Sequence, residues 1–309
     1  MQFVKAERHK ARLRLGITGP SGSGKTWGAL QIAKGIGGRI AVIDTERGSA
    51  SLYTHLVDFD VLELAPPFTP ERFTQALQAA EAAGYDVLIM DSITPEWNGV
   101  GGCLELVDNL ASAKFKGNSW SAWNEVTPRH RAFLDSLLRC NMHVIATMRS
   151  KTETAQTEEG GRKKVVKLGM KSEQRDGVEY EFTTVLDLVH DGHYAMPSKD
   201  RTGLFRGDPK TLSEETGRIL LEWLESGAEP IPSAADFAIK ALRSYESDKE
   251  GFSKVWTENK ANWKAVMSEG DYKRVVLTMQ DIAGKWVVNE DARDQLGEGH
   301  DAYEDGKAA

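Results

Sequence analysis

The sequence predicts an α/β fold: a mostly parallel sheet flanked by helices, with a small helical unit appended near the C-terminal end. Three observations predict it. Short apolar runs alternate with longer stretches of helical period over the first two thirds of the chain, the pattern of right-handed strand–helix–strand crossovers. The first apolar run enters a glycine-rich turn that opens a helix. Beyond residue 233 the strand signals cease, and residues 234–289 are helical in pattern and rich in tryptophan (Trp256, Trp263 and Trp286).

Taken in order, residues 12–17 (RLRLGI) read as the first strand. The helix after the glycine-rich turn runs from Lys25 to about Ile36, with Leu30, Ala33 and Ile36 at helical spacing, and Gly37-Gly38 stop it. Residues 39–44 (RIAVID) form a strand of the buried type. Thr69-Pro70 is a helix start, a cap followed by proline in the first turn, and Phe73, Leu77 and Ala80 fall on one face before Gly84. Residues 86–91 (DVLIMD) are the next strand. Thr127-Pro128 repeats the helix-start signal, with Thr127 as cap and Phe133, Leu134, Leu137 and Leu138 as the apolar stripe. Residues 143–148 (HVIATM) follow as a strand. Near residue 185 the pattern changes to a hairpin, 185–189 and 194–198 around His190-Asp191-Gly192-His193, because Asp-Gly favours a tight turn. A helix from Ser213 to about Ser226 closes the core. The expected division is a core over 1–226, a linker over 227–233, a helical unit over 234–289 and an acidic, unstructured tail over 290–309.

The composition fits a water-soluble globular protein, with 40% hydrophobic and 28% charged residues and no apolar run of membrane-spanning length. The basic N-terminal residues lack the apolar stretch of a signal peptide. The two cysteines, Cys103 and Cys140, show no metal-ligand or CxxC spacing, so a reduced, cytoplasmic compartment is expected. The net charge of −7 is unevenly spread: seven acidic residues against two basic ones after residue 289 hold most of it. Arg149–Arg175 instead carries eight basic residues against four acidic ones, a local surplus that suits a polyanion.

Gly19-Pro20-Ser21-Gly22-Ser23-Gly24-Lys25-Thr26 fits the phosphate-loop pattern GxxxxGK[ST] between a strand and a helix. Backbone amides of such a loop wrap a β-phosphate, and the helix N-terminus adds positive potential. Lys25 is positioned for the β- and γ-phosphates and Thr26 for Mg²⁺; Trp27 directly follows and completes the candidate nucleotide-binding set. Asp91 ends an apolar strand, where a carboxylate can hold Mg²⁺ through water; alone it would read as an ordinary turn-starting Asp. Glu46 lies just past the strand that follows the loop helix, where a carboxylate can polarise water for attack on the γ-phosphate. Guanine-specific NKxD and the LSGGQ signature of transport ATPases are both absent, which disfavours GTPases and ABC ATPases. His190 and His193 are better explained by the turn between them than by a metal site.

From residue 12 to about 205 the chain resembles the RecA-type recombinase core, in particular the phage-encoded RecA-like ATPases of the single-strand-annealing type. The resemblance rests on the phosphate loop, on Ile43-Asp44-Thr45-Glu46 at the place of the catalytic glutamate, and on Asp91-Ser92 at the Walker-B position. Thr147-Met148-Arg149 falls where that family has a γ-phosphate sensor, usually Gln, so Thr147 or Arg149 would serve. Lys199-Asp200-Arg201 resembles the basic pair that reaches a neighbouring protomer's ATP, which would make Lys199 and Arg201 catalytic in trans. The resemblance implies ATP and Mg²⁺ as cofactors, single-stranded DNA as partner and a homo-oligomer, filament or ring. A single-strand-binding protein is a further implied partner, and no membrane is. About eleven residues precede the first strand, so no separate N-terminal polymerisation domain is expected.

Two segments are candidate nucleic-acid contacts. Residues 149–175 read as a mobile basic loop around Gly160-Gly161, with Arg162, Lys163, Lys164, Lys167 and Lys171 lying along phosphates. Residues 94–126 read as a second loop, with Trp97, Phe115, Lys116, Trp120 and Trp123; most of these aromatics are expected to pack rather than stack on bases. Two other functions fit the same residues: a ring-forming helicase or DNA motor of this fold, and a nucleotide-switched module that loads another protein onto DNA.

Overall fold

In a computed structural model the structure describes residues 5–159, 162–228, 233–267 and 269–297, by backbone alone for 152–159, 162–169, 269 and 287–297. The chain divides into two compact units, 1–229 and 230–309.

The first unit is a three-layer α/β/α fold. Strand β1 (Arg14–Gly19) runs into helix α1 (Lys25–Ile36), followed by β2 (Ile40–Asp44), β3 (Asp60–Glu63), α2 (Pro70–Ala82) and β4 (Val87–Asp91). Three helices, α3 (Thr94–Asn98), α4 (Cys103–Lys114) and α5 (Ser119–Arg139), precede the long strands β5 (His143–Glu159) and β6 (Arg162–Ser172). Strands β7 (Thr184–Leu188), β8 (Tyr194–Asp200) and β9 (Lys210–Thr211) and helix α6 (Glu214–Glu225) complete it. The strand order is β3-β2-β4-β5-β1-β7-β8-β9, with β6 on the outer half of β5. Strands β3 to β7 along that order are parallel, and the β7/β8, β8/β9 and β5/β6 pairs are antiparallel. Strand β5 thus separates β1 from β4, and the C-terminal ends of β1, β2, β4 and the inner half of β5 share one edge. In parallel α/β sheets, that edge is where ligands bind.

The strands alternate because both faces are covered. On β4, Val87 and Ile89 join Leu15, Ile17, Leu30 and Leu220 on the α1/α6 side. Leu88 and Met90 instead join Phe73, Leu77, Phe133 and Leu137 on the α2/α5 side. Near-continuous burial along β1, β2 and β4 follows from this sandwiching. Strand β3, which carries no clear sequence signal, is an exposed edge strand. Arg14 is buried at the foot of β1 and donates to the carbonyls of Leu138, Cys140 and Met142, satisfying the C-terminal end of α5 and the turn beyond it.

Helices α1 and α6 approach at two glycines. A Cβ on Gly35 would lie 1.9 Å from the Glu214 carbonyl oxygen, and one on Gly217 would lie 2.2 Å from that of Ile32. Both obstacles are backbone, so no side chain can swing aside. Gly35→Ala is therefore expected to destabilise the first unit by about 1–3 kcal/mol or more, read as a lowered denaturant midpoint. A midpoint unchanged within about 0.5 kcal/mol would rule out this close packing.

Three expectations are corrected. Thr127-Pro128 does not begin a helix: α5 starts eight positions earlier at Ser119, capped by the Asn118 side chain, which accepts from the Ser121 amide at 3.2 Å, and Pro128 lies inside it. The buried stripe Ala122, Val126, His130, Phe133 and Leu137 runs through the proline. Packing of that stripe outweighs the hydrogen bond that Pro128 cannot donate to Asn124. Residues 94–126 are helices rather than a loop, closed over their own small core of Cys103, Val107, Ala111, Ala122 and Val126. Trp97 and Trp123 stack there at 5.4 Å, whereas Trp120 is exposed. Residues 149–172 are the β5–β6 hairpin rather than a mobile loop, with Ser150 paired to Ser172 and Glu159 to Arg162. Its tip, Gly160-Gly161, lies outside the described residues.

The β7–β8 hairpin forms as the Asp-Gly signal predicts, with a short 3₁₀ turn over Asp191–His193. Ala228 is tied to the N-terminal segment by bonds to Arg8 and Lys10, so the segment expected to be a linker begins fastened to the first unit. The second unit holds α7 (Ala234–Arg243), α8 (Lys249–Val266) and α9 (Glu269–Gly297). Ser233 and Asp236 form a reciprocal capping box on α7, and Asp248 caps α8. Its core is Ala235, Ala238, Leu242, Phe252, Val275 and Ile282 with Trp256, Trp263 and Trp286 against them. Helix α9 continues to Gly297, into the stretch whose composition suggests an unstructured tail; residues 298–309 lie outside the described residues.

Candidate functional site

The loop from Gly19 to Gly24 joins the centre of the sheet to α1. Gly22 and Gly24 have φ of 76° and 89°, a left-handed backbone that glycine adopts without strain. Gly24 caps α1 with no side-chain hydrogen bond, so the first-turn amides of the helix remain available to an anion. The Lys25 ammonium folds back onto the carbonyls of Gly19 (3.0 Å) and Pro20 (2.8 Å). Burial draws its pKa below the ordinary lysine value; Asp91 and Glu46 act against that, and Arg149 adds to it.

Asp91, at the end of β4, is buried. Its two carboxylate oxygens accept from the hydroxyls of Thr26 (2.6 Å) and Thr147 (2.5 Å). Burial pushes its pKa up, and the two hydroxyl bonds hold it back. Glu46 follows β2 in a turn ordered by Asp44, whose carboxylate accepts from the amides of Glu46 (2.5 Å) and Ala50 (3.0 Å). One Glu46 oxygen accepts from Arg149 Nε (3.1 Å) and Nη2 (2.9 Å). Four strand ends thus bring Lys25, Thr26, Glu46, Asp91, Thr147 and Arg149 together. Thr147 sits behind Asp91, while Arg149 engages Glu46; the two halves of the expected sensor position have different partners.

The β7–β8 turn also touches the loop, a contact with no sequence signal. His193 Nδ1 lies 3.1 Å from the Ser23 carbonyl oxygen, which makes that nitrogen the donor. His190 stands 3.4 Å from where a Cβ on Gly22 would be. Only the parallel pairing of β7 with β1 places them there. Beside the loop a cleft of about 420 Å³ is lined by Trp27, Tyr53, His193 and Leu212 among others. Trp27 is 42% exposed and lies 6.2 Å from Tyr53 and 6.3 Å from His55, ring centre to ring centre.

Lys199 and Arg201 stand apart from this cluster. Asp200, between them, pairs with Thr184, which is level with Leu15, four residues before Gly19 and so about 13 Å from the loop. Lys199 donates to the carbonyls of Glu179 (2.9 Å) and Tyr180 (2.6 Å), and burial lowers its pKa with Arg201 reinforcing the effect. Of the basic hairpin residues, Arg162, Lys163, Lys164 and Lys167 lie on β6, their side chains outside the described residues. Lys171 is half-buried, pairs with Asp176 at 2.8 Å, and lines a cleft of about 590 Å³ with Trp97, Lys151, Gln174 and Arg175 at the hairpin's foot.

Residues 11–214 match the family described as AAA domain, and the chain belongs to that family. Its activity class is that of a phosphate-loop ATPase. No curated protein matches the chain. Among solved structures, the crystal structure of the RadB recombinase is similar over 67% of this chain and 90% of that one, at 18% sequence identity and a TM-score of 0.33.

Proposed function

We propose that the protein hydrolyses ATP at the Gly19–Thr26 loop and couples turnover to single-stranded DNA in recombination or annealing, assembling with copies of itself. The observation that carries the reading is the convergence of Lys25, the Thr26–Asp91–Thr147 chain and the Glu46–Arg149 pair at one sheet edge.

The loop fits a triphosphate. Its amides and the uncapped end of α1 supply donors without charge, and Lys25 can exchange two backbone carbonyls for phosphate oxygens. Among the described residues the buried Ser23 hydroxyl has no hydrogen-bond partner, which leaves it an unspent donor inside the loop. A divalent cation also fits: Thr26 and Asp91 would hold it, and such an ion neutralises charge on the β- and γ-phosphates. A buried carboxylate hydrogen-bonded to two hydroxyls, with one of those hydroxyls on the loop helix, is a donor set that suits that hard ion. The aromatic cleft at Trp27 and Tyr53 offers a face for the base.

Glu46 accepts the proton of the attacking water as the water oxygen bonds to the γ-phosphorus and the bond to the β-bridging oxygen breaks. Before it can do so, the carboxylate must part from Arg149. The arriving γ-phosphate is the stronger anion for that guanidinium and draws it away. Arg149 opens the hairpin half of β5, so its change of partner is felt in the segment that bears the basic residues. Lys199 and Arg201, set apart from their own chain's loop, act on a neighbouring protomer's nucleotide. No described helix is long and apolar enough to cross a membrane; cytoplasmic residence with DNA accords with the basic hairpin.

The test is the ATPase rate with and without single-stranded DNA across a salt series. Stimulation that falls steeply as salt rises is expected if the hairpin cations neutralise phosphates. Turnover indifferent to DNA at low salt would discard the coupling, while leaving the ATPase reading intact. Electron microscopy with ATP and DNA separates filament from ring.

A further inference from the structure

The loops and helices between β4 and β5 hold a cluster that the ATPase chemistry does not use. Glu96 on α3, Cys103 at the start of α4 and His130 on α5 are all buried, at 0%, 0% and 1% exposure. Glu96 Oε1 lies 3.1 Å from Cys103 Sγ and 3.0 Å from His130 Nδ1, and one ligand atom from each residue lies within 4.8 Å of the others. Gln174, in the segment after β6, donates to Glu96 Oε2 (3.3 Å) and to the Ile93 carbonyl (3.1 Å). Among the described residues, no Lys or Arg side chain bonds to this carboxylate. The arrangement is therefore a sealed acid facing a thiol, an imidazole and an amide.

We propose that Glu96, Cys103 and His130 bind a divalent transition-metal ion, zinc by the chemistry of the set. One oxygen, one sulfur and one imidazole nitrogen suit zinc, whereas Mg²⁺ and Ca²⁺ take oxygen ligands alone. Carboxylate and thiolate carry two negative charges between them, and a divalent ion leaves the site neutral. On binding, the metal–sulfur bond forms as the thiol releases its proton to solvent, so uptake is favoured by rising pH. The ion fastens three helices to one another. Helix α3 begins three residues after Asp91, and Gln174 ties the same cluster to the foot of the hairpin. The role is structural: it fixes the helical insert between the nucleotide edge and the hairpin. The spacing Glu96-x₆-Cys103 and the distant His130 match no short metal motif, which is why sequence alone passes over them.

Untagged protein, dialysed against buffer containing Zn²⁺ and then against metal-free buffer, is expected to retain about one zinc per chain by elemental analysis. Replacing zinc with Co²⁺ should give a thiolate-to-cobalt charge-transfer band. Cys103→Ser should abolish that band, and Cys140→Ser should leave it in place. His190→Gln and His193→Gln should likewise retain it. The wild-type measurement stands even where Cys103→Ser fails to fold. Wild-type protein that binds ATP but retains no zinc and shows no cobalt–thiolate band overturns the proposal and leaves a hydrogen-bonded cluster. So does a band lost in folded Cys140→Ser and kept in Cys103→Ser.

Discussion

Glu46→Gln is expected to lower ATP turnover by about 10²–10⁴-fold, the usual contribution of a positioned general base. Nucleotide affinity should hold within a few-fold. The separation of the two effects follows from geometry. Among the described residues Glu46 makes no hydrogen bond to the loop and is tied to Arg149, whereas the proposed phosphate donors are the loop amides and Lys25. The amide of Gln can still accept from Arg149 but cannot take a proton from water at neutral pH. Single-turnover hydrolysis and equilibrium binding of ATP, measured on the same preparation, check the split. Undiminished turnover would transfer the base role elsewhere. Arg149→Ala separates the two halves of the pair: it frees Glu46 but removes the cation, so a turnover defect shared with Glu46→Gln would mark Arg149 as acting on phosphate itself.

Lys25→Ala is expected to weaken ATP binding by about 2–5 kcal/mol, the range for truncating one partner of a buried charged pair, or some 30- to 5,000-fold. Two carbonyls that now bind the ammonium, those of Gly19 and Pro20, also lose their partner. The loop should therefore loosen even without nucleotide, which thermal unfolding of the free protein would register as a small drop. Lys25→Arg keeps the charge but replaces a compact ammonium with a planar fork that the narrow loop does not match. Failure of both variants points to shape as well as charge. Wild-type affinity in Lys25→Ala would remove the loop from the account altogether, whatever the behaviour of Glu46.

The strands and the loop were legible because their signals are local. A buried parallel strand must be apolar along its length, so residues 39–44 and 86–91 could be read directly. A phosphate loop must place glycines where φ turns positive, as at Gly22 and Gly24. Pro128 misled because a proline ordinarily ends or starts a helix. The price of its missing N–H is set instead by how much apolar surface the continuous stripe from Ala122 to Leu137 buries, and that depends on what lies opposite. The basic segment misled in the same way: glycine and charge suggest a loop, yet pairing between β5 and β6 satisfies its backbone as a ladder.

The site divides along the same line. Each residue of the loop, and Asp91 and Glu46 as candidates, came from the order of the chain, since strand, turn and helix are fixed within a few neighbours. The partners did not. That Thr147 backs Asp91, that Arg149 holds Glu46, that His193 braces Ser23 and that Glu96, Cys103 and His130 meet at one point all require strands and helices distant in sequence to lie side by side. Sequence alone picked out the groups proposed here for phosphate; the tertiary structure decided which of them face each other. The reason is range: backbone preferences act over a few residues, whereas hydrogen bonds and ion pairs between side chains exist only once the sheet has set its strand order.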